Sequence, residues 1–260
     1  MQEPPEQTLA GLPSTDFLGV PMLRCTTAEF MSALTERAKV GEPGDPALVT
    51  YLNAWCFLVA GRDADYAAIL RGCDGVYADG QAVVWASRWR AVGGALPERV
   101  NAADFIPDFL HGAAARGLRV RLLGSEPGVA ARAAERFRAE VPGLVITGAD
   151  DGYFTDGGEE AVVSRIAADA PDLLLVGMGV PLQEKWAAAN LARLNCRAIW
   201  CVGAMFEYYG GARARAPVWT RKAGLEWLFR LVLEPRRLWR RYLVGNAAFI
   251  LRAALRVRVR

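Results

Sequence analysis

The sequence predicts an α/β fold, a Rossmann-like, mostly parallel sheet flanked by helices, with a C-terminal arginine-rich helical appendage. Three observations predict it. Short apolar runs alternate with stretches of helical periodicity from Ala47 to Val202, and that alternation is the mark of βαβ units. Several of the runs end in glycine or a polar residue (Asn53, Asp79, Gly124, Gly177 and Gly203), which puts the ligand site beyond the carboxyl ends of the strands. Beyond Gly210-Gly211 the composition changes, and arginines crowd a helical stretch broken by Pro217 and Pro235.

Taken in order, the elements are these. Ala47–Asn53 reads as a strand, Ala64–Gly72 as a helix and Gly75–Ala78 as a strand ending at Asp79-Gly80. Helices follow over Gln81–Trp89 and over Asp104–Arg116, the latter closed by Gly117. Strand Leu118–Leu123 leads to helix Pro127–Glu140, and strand Leu144–Thr147 to helix Glu159–Ala168. Strand Asp172–Val176 precedes Gly177-Met178-Gly179 and helix Pro181–Leu194, and Arg197–Val202 is the last strand. The expected organisation is a frayed polar tail over 1–15, an α/β core over 16–211, and a basic amphipathic helical appendage over 212–260 that associates with membranes.

Composition narrows the class of function. At 260 residues, 53% hydrophobic and 23% charged, the chain is globular and long enough to bury a large core without staples. Its five cysteines are odd in number and form no CxxC pair, so a disulfide framework or cysteine zinc site is not expected and a reducing compartment fits. Met1–Ser14 lacks the basic start and apolar core of a signal peptide. No run approaches the roughly 20 apolar residues of a membrane span. A cytoplasmic location follows as the expectation. The net charge of +3 hides a split. Met1–Ala212 carries 18 Lys+Arg against 26 Asp+Glu, net −8, whereas Arg213–Arg260 carries 13 against 2, net +11. An acidic body with a strongly basic tail implies an anionic partner.

Few residues remain to carry chemistry. The single histidine, His111, falls inside a predicted helix with no GxSxG serine elbow to serve, so it reads as structural. A metal site built on several histidines is excluded by count. Carboxylates are left as general bases. Asp79 follows an apolar strand and opens a helix, which suits a base and equally suits an N-cap. Glu98 and Asp104 are weaker candidates. Asp63-Ala64-Asp65 has the DxD form of metal-dependent sugar transferases, but its place before a helix favours capping. Gly177-Met178-Gly179 can offer amides to a phosphate. Neither it nor Gly124-Ser125-Glu126-Pro127-Gly128 is a GxGxxG fingerprint. In the tail, Leu225, Leu228, Phe229, Val232 and Leu233 recur at helical spacing among arginines, with Trp227, Trp239 and Tyr242 beside them. That is the composition of an interfacial helix.

Several blocks, in order, resemble the WecG/TagA/CpsF glycosyltransferase family over about residues 17–250. They include Val49-Thr50-Tyr51-Leu52-Asn53-Ala54, Ala78-Asp79-Gly80-Gln81-Ala82-Val83-Val84, Leu96-Pro97-Glu98-Arg99-Val100 and Gly152-Tyr153-Phe154. Val176-Gly177-Met178-Gly179-Val180-Pro181-Leu182-Gln183-Glu184-Lys185-Trp186 follows, and then Arg215-Ala216-Pro217, Gly224-Leu225-Glu226-Trp227-Leu228-Phe229-Arg230-Leu231 and Glu234-Pro235-Arg236-Arg237. The resemblance implies an inverting transferase that moves a hexose or N-acetylhexosamine from a UDP-sugar to a polyprenyl-diphosphate-linked saccharide. It implies no cofactor and no metal, the UDP-sugar being the donor substrate. Asp79 is then the expected base. Thr50, Asn53, Arg99 and Gln183 are expected at the sugars, and Gly124, Tyr153, Gly177, Gly179 and Glu207 at the nucleotide. Arg230, Arg237 and Arg240 are expected at the acceptor diphosphate or the membrane surface.

Two positions depart from the family pattern. Tyr51 stands where the family often has Thr, and Thr50 beside it points to the other face of a strand. Glu207 stands where Asp is common. The expected partners are thus a UDP-sugar, a lipid-linked saccharide and the anionic inner face of the cell membrane, with no nucleic acid. The oligomeric state, homo-oligomers included, is left open. Two other readings compete: a nucleotide-dependent oxidoreductase, and a nucleic-acid-binding protein using its basic tail.

Overall fold

In the computed structural model, residues 9, 11–154, 158–217, 219–220 and 226–259 are described, the side chains of Arg237 and Arg241 excepted. The chain opens on a hairpin that periodicity does not reveal. Strands β1 (Ser14–Phe17) and β2 (Val20–Leu23) pair antiparallel around Leu18-Gly19, both at positive φ. The frayed tail expected through residue 15 is therefore shorter. Leu9 is fully buried, with its N–H on the Asp74 carbonyl, and Ser14 and Thr15 lie in β1. Four-residue strands are too short for alternation to show in a sequence. Helix α1 (Thr27–Val40) starts at a capping box, in which the Thr26 hydroxyl accepts from the Glu29 amide and the Glu29 carboxylate accepts from the Thr26 amide.

The core is the parallel sheet. Its strands are β3 (Ala47–Leu52), β4 (Gly75–Ala78), β6 (Arg119–Gly124), β7 (Val145–Asp150), β8 (Leu173–Gly177) and β9 (Ala198–Cys201), in the order β4-β3-β9-β8-β6-β7. Every neighbouring pair is parallel. A short β5 (Ala91–Val92) joins β1 instead. All residues of β3, β4, β8 and β9 are buried, as strands covered on both faces must be. The connecting helices are α2 (Ala54–Ala60), α3 (Ala64–Gly72), α4 (Gln81–Arg90), α5 (Ala102–Ala115), α6 (Val129–Glu140), α7 (Gly158–Asp169), α8 (Leu182–Asn190) and α9 (Met205–Tyr209).

Two features fix the sheet edge that carries the site. Trp200 on β9 stacks on Phe105, centroids 5.7 Å apart, and donates its indole N–H to the Tyr77 hydroxyl at 3.0 Å. Pro107 inside α5 has no N–H to give Ala103, one turn back. The Tyr209 hydroxyl supplies that missing donor at 3.0 Å, which ties α9 to α5.

The C-terminal region is helical, as expected: α10 (Glu226–Leu233), α11 (Pro235–Trp239), a π-type turn over Arg240–Val244, and α12 (Gly245–Ala254). It does not stand off as one appendage. None of the residues of α10 is buried, and Leu228, Val232 and Leu233 are exposed. Yet α12 returns to the core, where Phe249 packs on Phe57 and Phe17 with centroids 5.5 and 6.3 Å apart. The Val259 amide then donates to the Leu18 carbonyl at 2.8 Å. Leu225, expected on the amphipathic stripe, lies outside the described residues. Among the described residues no helix is long and apolar enough to cross a membrane.

Candidate active site

A cleft of about 1420 Å³ opens over the carboxyl ends of β3, β4, β8 and β9, where Asn53, Asp79, Gly177 and Val202 line it. Tail residues Trp227, Arg230 and Tyr242 line it too. Ion pairs hold the tail there. Arg99 reaches Glu226 at 3.3 Å, and Arg213 reaches Glu207 at 2.7 Å and Glu234 at 3.3 Å.

Asp79 sits on the cleft floor. Its amide donates to the Leu52 carbonyl at 3.0 Å, continuing the β3–β4 ladder past the strand end. It is not a helix cap, since Gly80 occupies the N-cap of α4 and no side chain caps that helix. The carboxylate accepts instead from Asn101 Nδ2 at 2.6 Å. Burial pushes its pKa up to about 7, against the opposing pull of Arg99 and of hydrogen bonds from Asn101 and Asn53, while Glu226 adds to the rise. A carboxylate so placed is half charged near neutrality, the condition for a general base that accepts a proton and later releases it.

Asn53 lines the cleft and caps α2, its Oδ1 accepting from the Cys56 amide at 3.1 Å. Arg99, Tyr153, Gly177, Gly179, Glu207 and Arg230 also line it. Arg230 is half-buried, and its Nε, itself shielded from solvent, has no hydrogen-bond partner among the described residues. Burial lowers its pKa, but Tyr208, Tyr242, Glu226 and Glu234 together outweigh that and raise it.

Three residues expected at the sugars or the nucleotide lie elsewhere. Thr50 and Gln183 are fully buried beneath the cleft. The Thr50 hydroxyl and Gln183 Nε2 both donate to Glu184 Oε1, at 2.7 and 2.8 Å, and Gln183 Oε1 accepts from the Gly203 amide at 3.0 Å. They therefore support the floor and do not face a sugar. Strand alternation turns Tyr51, not Thr50, to the cleft. Gly124 is likewise structural: at φ 143° a Cβ there would stand 2.4 Å from the Gly177 carbonyl oxygen, so glycine lets β6 and β8 converge.

Arg240 is exposed and stacks over Trp239 at 5.3 Å, away from the cleft lining. The side chain of Arg237 lies outside the described residues. Asp63 caps α3 through the Tyr66 amide and pairs with Lys185 at 2.8 Å, so the DxD match is a cap. Glu98 accepts from the Thr27 amide, Asp104 pairs with Arg99 and Arg215, and His111 is exposed with Nδ1 against the Pro107 carbonyl. All five cysteines are buried, and none is joined to another in a disulfide. Among the described residues, no three His, Cys, Asp or Glu side chains group as a metal site.

Residues 15–260 match the family described as glycosyl transferase WecG/TagA/CpsF family. The chain belongs to it. A curated relative from Bacillus subtilis is 31% identical over 198 residues, 76% of this chain and 75% of its own. One from Bacillus spizizenii is 33% identical over 197 residues, with the same two shares. Both are named N-acetylglucosaminyldiphosphoundecaprenol N-acetyl-beta-D-mannosaminyltransferase. This protein is accordingly a glycosyltransferase, and the oxidoreductase and nucleic-acid readings fall away.

For this WecG/TagA/CpsF transferase the sequence hid three parts of the site. Asn101, the partner of Asp79, stands directly after the Leu96–Val100 block, where only the fold shows its direction. Glu226 is one of two acids in a basic tail, and that rarity was its signal. Glu184 was read as part of a motif, but its full burial depends on α8 lying across β3.

Proposed function

We propose that the cleft transfers a sugar with inversion from a UDP-sugar to a polyprenyl-diphosphate-linked saccharide, without a metal. The acceptor hydroxyl gives its proton to the Asp79 carboxylate as its oxygen attacks the anomeric carbon. The bond from that carbon to the diphosphate oxygen breaks, and UDP leaves with the electron pair. The observation that carries this reading is Asp79 itself, a half-buried carboxylate in the cleft lining that is held by Asn101 and is not the cap of α4, with its pKa pushed up to about 7. Arg230, half-buried in the same cleft with no partner for its Nε among the described residues, is suited to the diphosphate charge. Arg99 is held by Asp104 and Glu226 and sets the potential at Asp79. Tyr153 at the rim and Glu207 offer a face and an acceptor to the nucleotide.

The relatives' names make an N-acetylmannosaminyl group the first sugar to assay, and N-acetylglucosaminyl-diphosphoundecaprenol the first acceptor. The place of work is the inner face of the cell membrane, touched peripherally through the tail. The exposed Leu228, Val232, Leu233 and Trp239 among arginines support that association. The test is transfer from a panel of UDP-sugars to a synthetic lipid-diphosphate acceptor in excess EDTA. Undiminished turnover with an inverted anomeric centre is expected. Loss of turnover restored by a divalent cation overturns the metal-free reading, and retained configuration overturns the single displacement.

A further inference from the structure

The cleft is lined by polar groups in one part and by apolar ones in another. Beyond Asp79 and Asn53 it runs between α4 and α12, where its lining is Trp85, Trp89, Leu243, Phe249 and Ile250. Of these, Trp85, Trp89, Leu243 and Ile250 are 57, 52, 53 and 57% exposed. Large apolar side chains left open to water along a cavity wall mark a surface that binds something apolar.

The walls are also fixed. Arg90 at the end of α4 donates Nε to the Ala253 carbonyl at 2.6 Å and Nη2 to the Ala254 carbonyl at 3.0 Å, clamping α4 to the C-terminal end of α12. The same guanidinium lies 4.6 Å from the centre of the Trp89 ring and holds the indole in place. Phe249 anchors α12 to the core from below. An exposed tryptophan that is held rigid loses little freedom when a ligand covers it.

We propose that this arm takes the first isoprene units of the acceptor's polyprenyl chain and leads them from the catalytic floor to the bilayer. The proposal deepens the reading of the cleft as the site of transfer to a lipid diphosphate, and it rests on that reading. A single cavity with a carboxylate and arginine at one end and an apolar, tryptophan-lined trough at the other matches an amphiphile whose charged head and apolar tail are joined end to end. Val244, Leu251 and Leu255, just before, within and just after α12, are exposed as well and add apolar surface to the same segment.

The experiment uses the full chain and the double variant Trp85→Ser/Trp89→Ser. Three quantities are measured: KM for undecaprenyl-diphosphate-linked N-acetylglucosamine, KM for an analogue whose alkyl chain is too short to reach the trough, and Kd for undecaprenyl diphosphate alone in detergent micelles. The variant is expected to raise the long-chain KM and the lipid Kd about tenfold, equivalent to about 1.4 kcal/mol, while the short-chain KM stays within about twofold. Unchanged lipid affinity in the variant overturns the proposal. So does an equal rise in KM for both acceptors, which reports general damage to the cleft. If the wild type binds the lipid through these tryptophans but turns over neither acceptor, the trough stands and the transfer reading falls.

Discussion

At the residue scale, two carboxyl groups have pKa values raised by desolvation, and they act differently. Asp79 must be charged to accept a proton. With its pKa raised to about 7, kcat/KM should climb with unit slope below about pH 7 and level off above it. A profile flat from pH 5 to 8 would rule the base out. The Asn101 hydrogen bond favours the charged form, so Asn101→Ala should move the acidic limb to higher pH. Asp79→Asn should keep the fold and UDP binding and lose transfer by roughly 10²–10⁴-fold; wild-type turnover in that variant would remove Asp79 from the mechanism. Glu184 faces no substrate. Burial lifts its pKa to about 7, against hydrogen bonds from Gln183 and Thr50 that favour the charged form. Its Oε2 has no hydrogen-bond partner among the described residues. A carboxyl whose folded pKa is raised holds its proton more tightly in the fold than in the unfolded chain. Its contribution is present below the unfolded value and is lost as pH rises through about 7. The loss for Glu184 is on the order of 3 kcal/mol. Glu184→Gln should flatten the fall in Tm between pH 5 and 8 seen by calorimetry; an unaltered slope would show that the group does not titrate there.

At the element scale, α10 and α12 share the basic tail but do opposite work. Phe249 of α12 fills a site between Phe17 and Phe57, so Phe249→Ala should cost about 3–5 kcal/mol of stability by denaturant titration. Cutting the chain after Gly211 therefore exposes core and cannot report on membrane contact alone. The cleaner change is Leu228→Ser/Val232→Ser/Leu233→Ser on exposed positions of α10. Binding to vesicles should drop with Tm unchanged. Binding that survives would place the contact elsewhere in the tail. The same contrast explains what could be read in advance. Strands such as Gly75–Ala78 and helices such as Ala64–Gly72 were legible to the residue, because buried parallel strands are unbroken apolar runs and helices carry a longer period. The β1–β2 hairpin was too short to show a period, and α2 merged with β3 into one apolar stretch. At the site, Asp79 was legible as a strand-end acid. Thr50 and Gln183 were misplaced because their polarity satisfies Glu184, a buried demand that one-dimensional spacing cannot display.

At the scale of the whole molecule, the charge split and the anchoring of the tail belong together. Both acids among the 48 tail residues, Glu226 and Glu234, are used in ion pairs, with Arg99 and Arg213. The pair with Arg99 joins tail to core. Most of the remaining arginines have no acid to neutralise them within the tail, whose net charge is +11 against −8 for the rest. The charge is thus divided unevenly along the chain. On the membrane-surface reading proposed above, an anionic bilayer would attract one side and repel the other, so the tail's field would orient the cleft toward the lipid as well as hold it there. Each basic residue near the surface contributes about 1 kcal/mol, and that attraction is confined to a Debye length of about 8 Å at physiological salt. Co-sedimentation with phosphatidylglycerol-containing vesicles should therefore weaken at least about tenfold between 0.05 and 0.5 M salt, because screening acts on several arginines at once. Purely zwitterionic vesicles should bind weakly and with little salt dependence, through the apolar face of α10 alone. Turnover of a vesicle-embedded acceptor should follow the same salt curve, and turnover of a short, water-soluble acceptor should not. If the two acceptors respond alike, salt acts on the catalytic arginines and not on docking, and the charge split would then serve the cleft rather than the membrane.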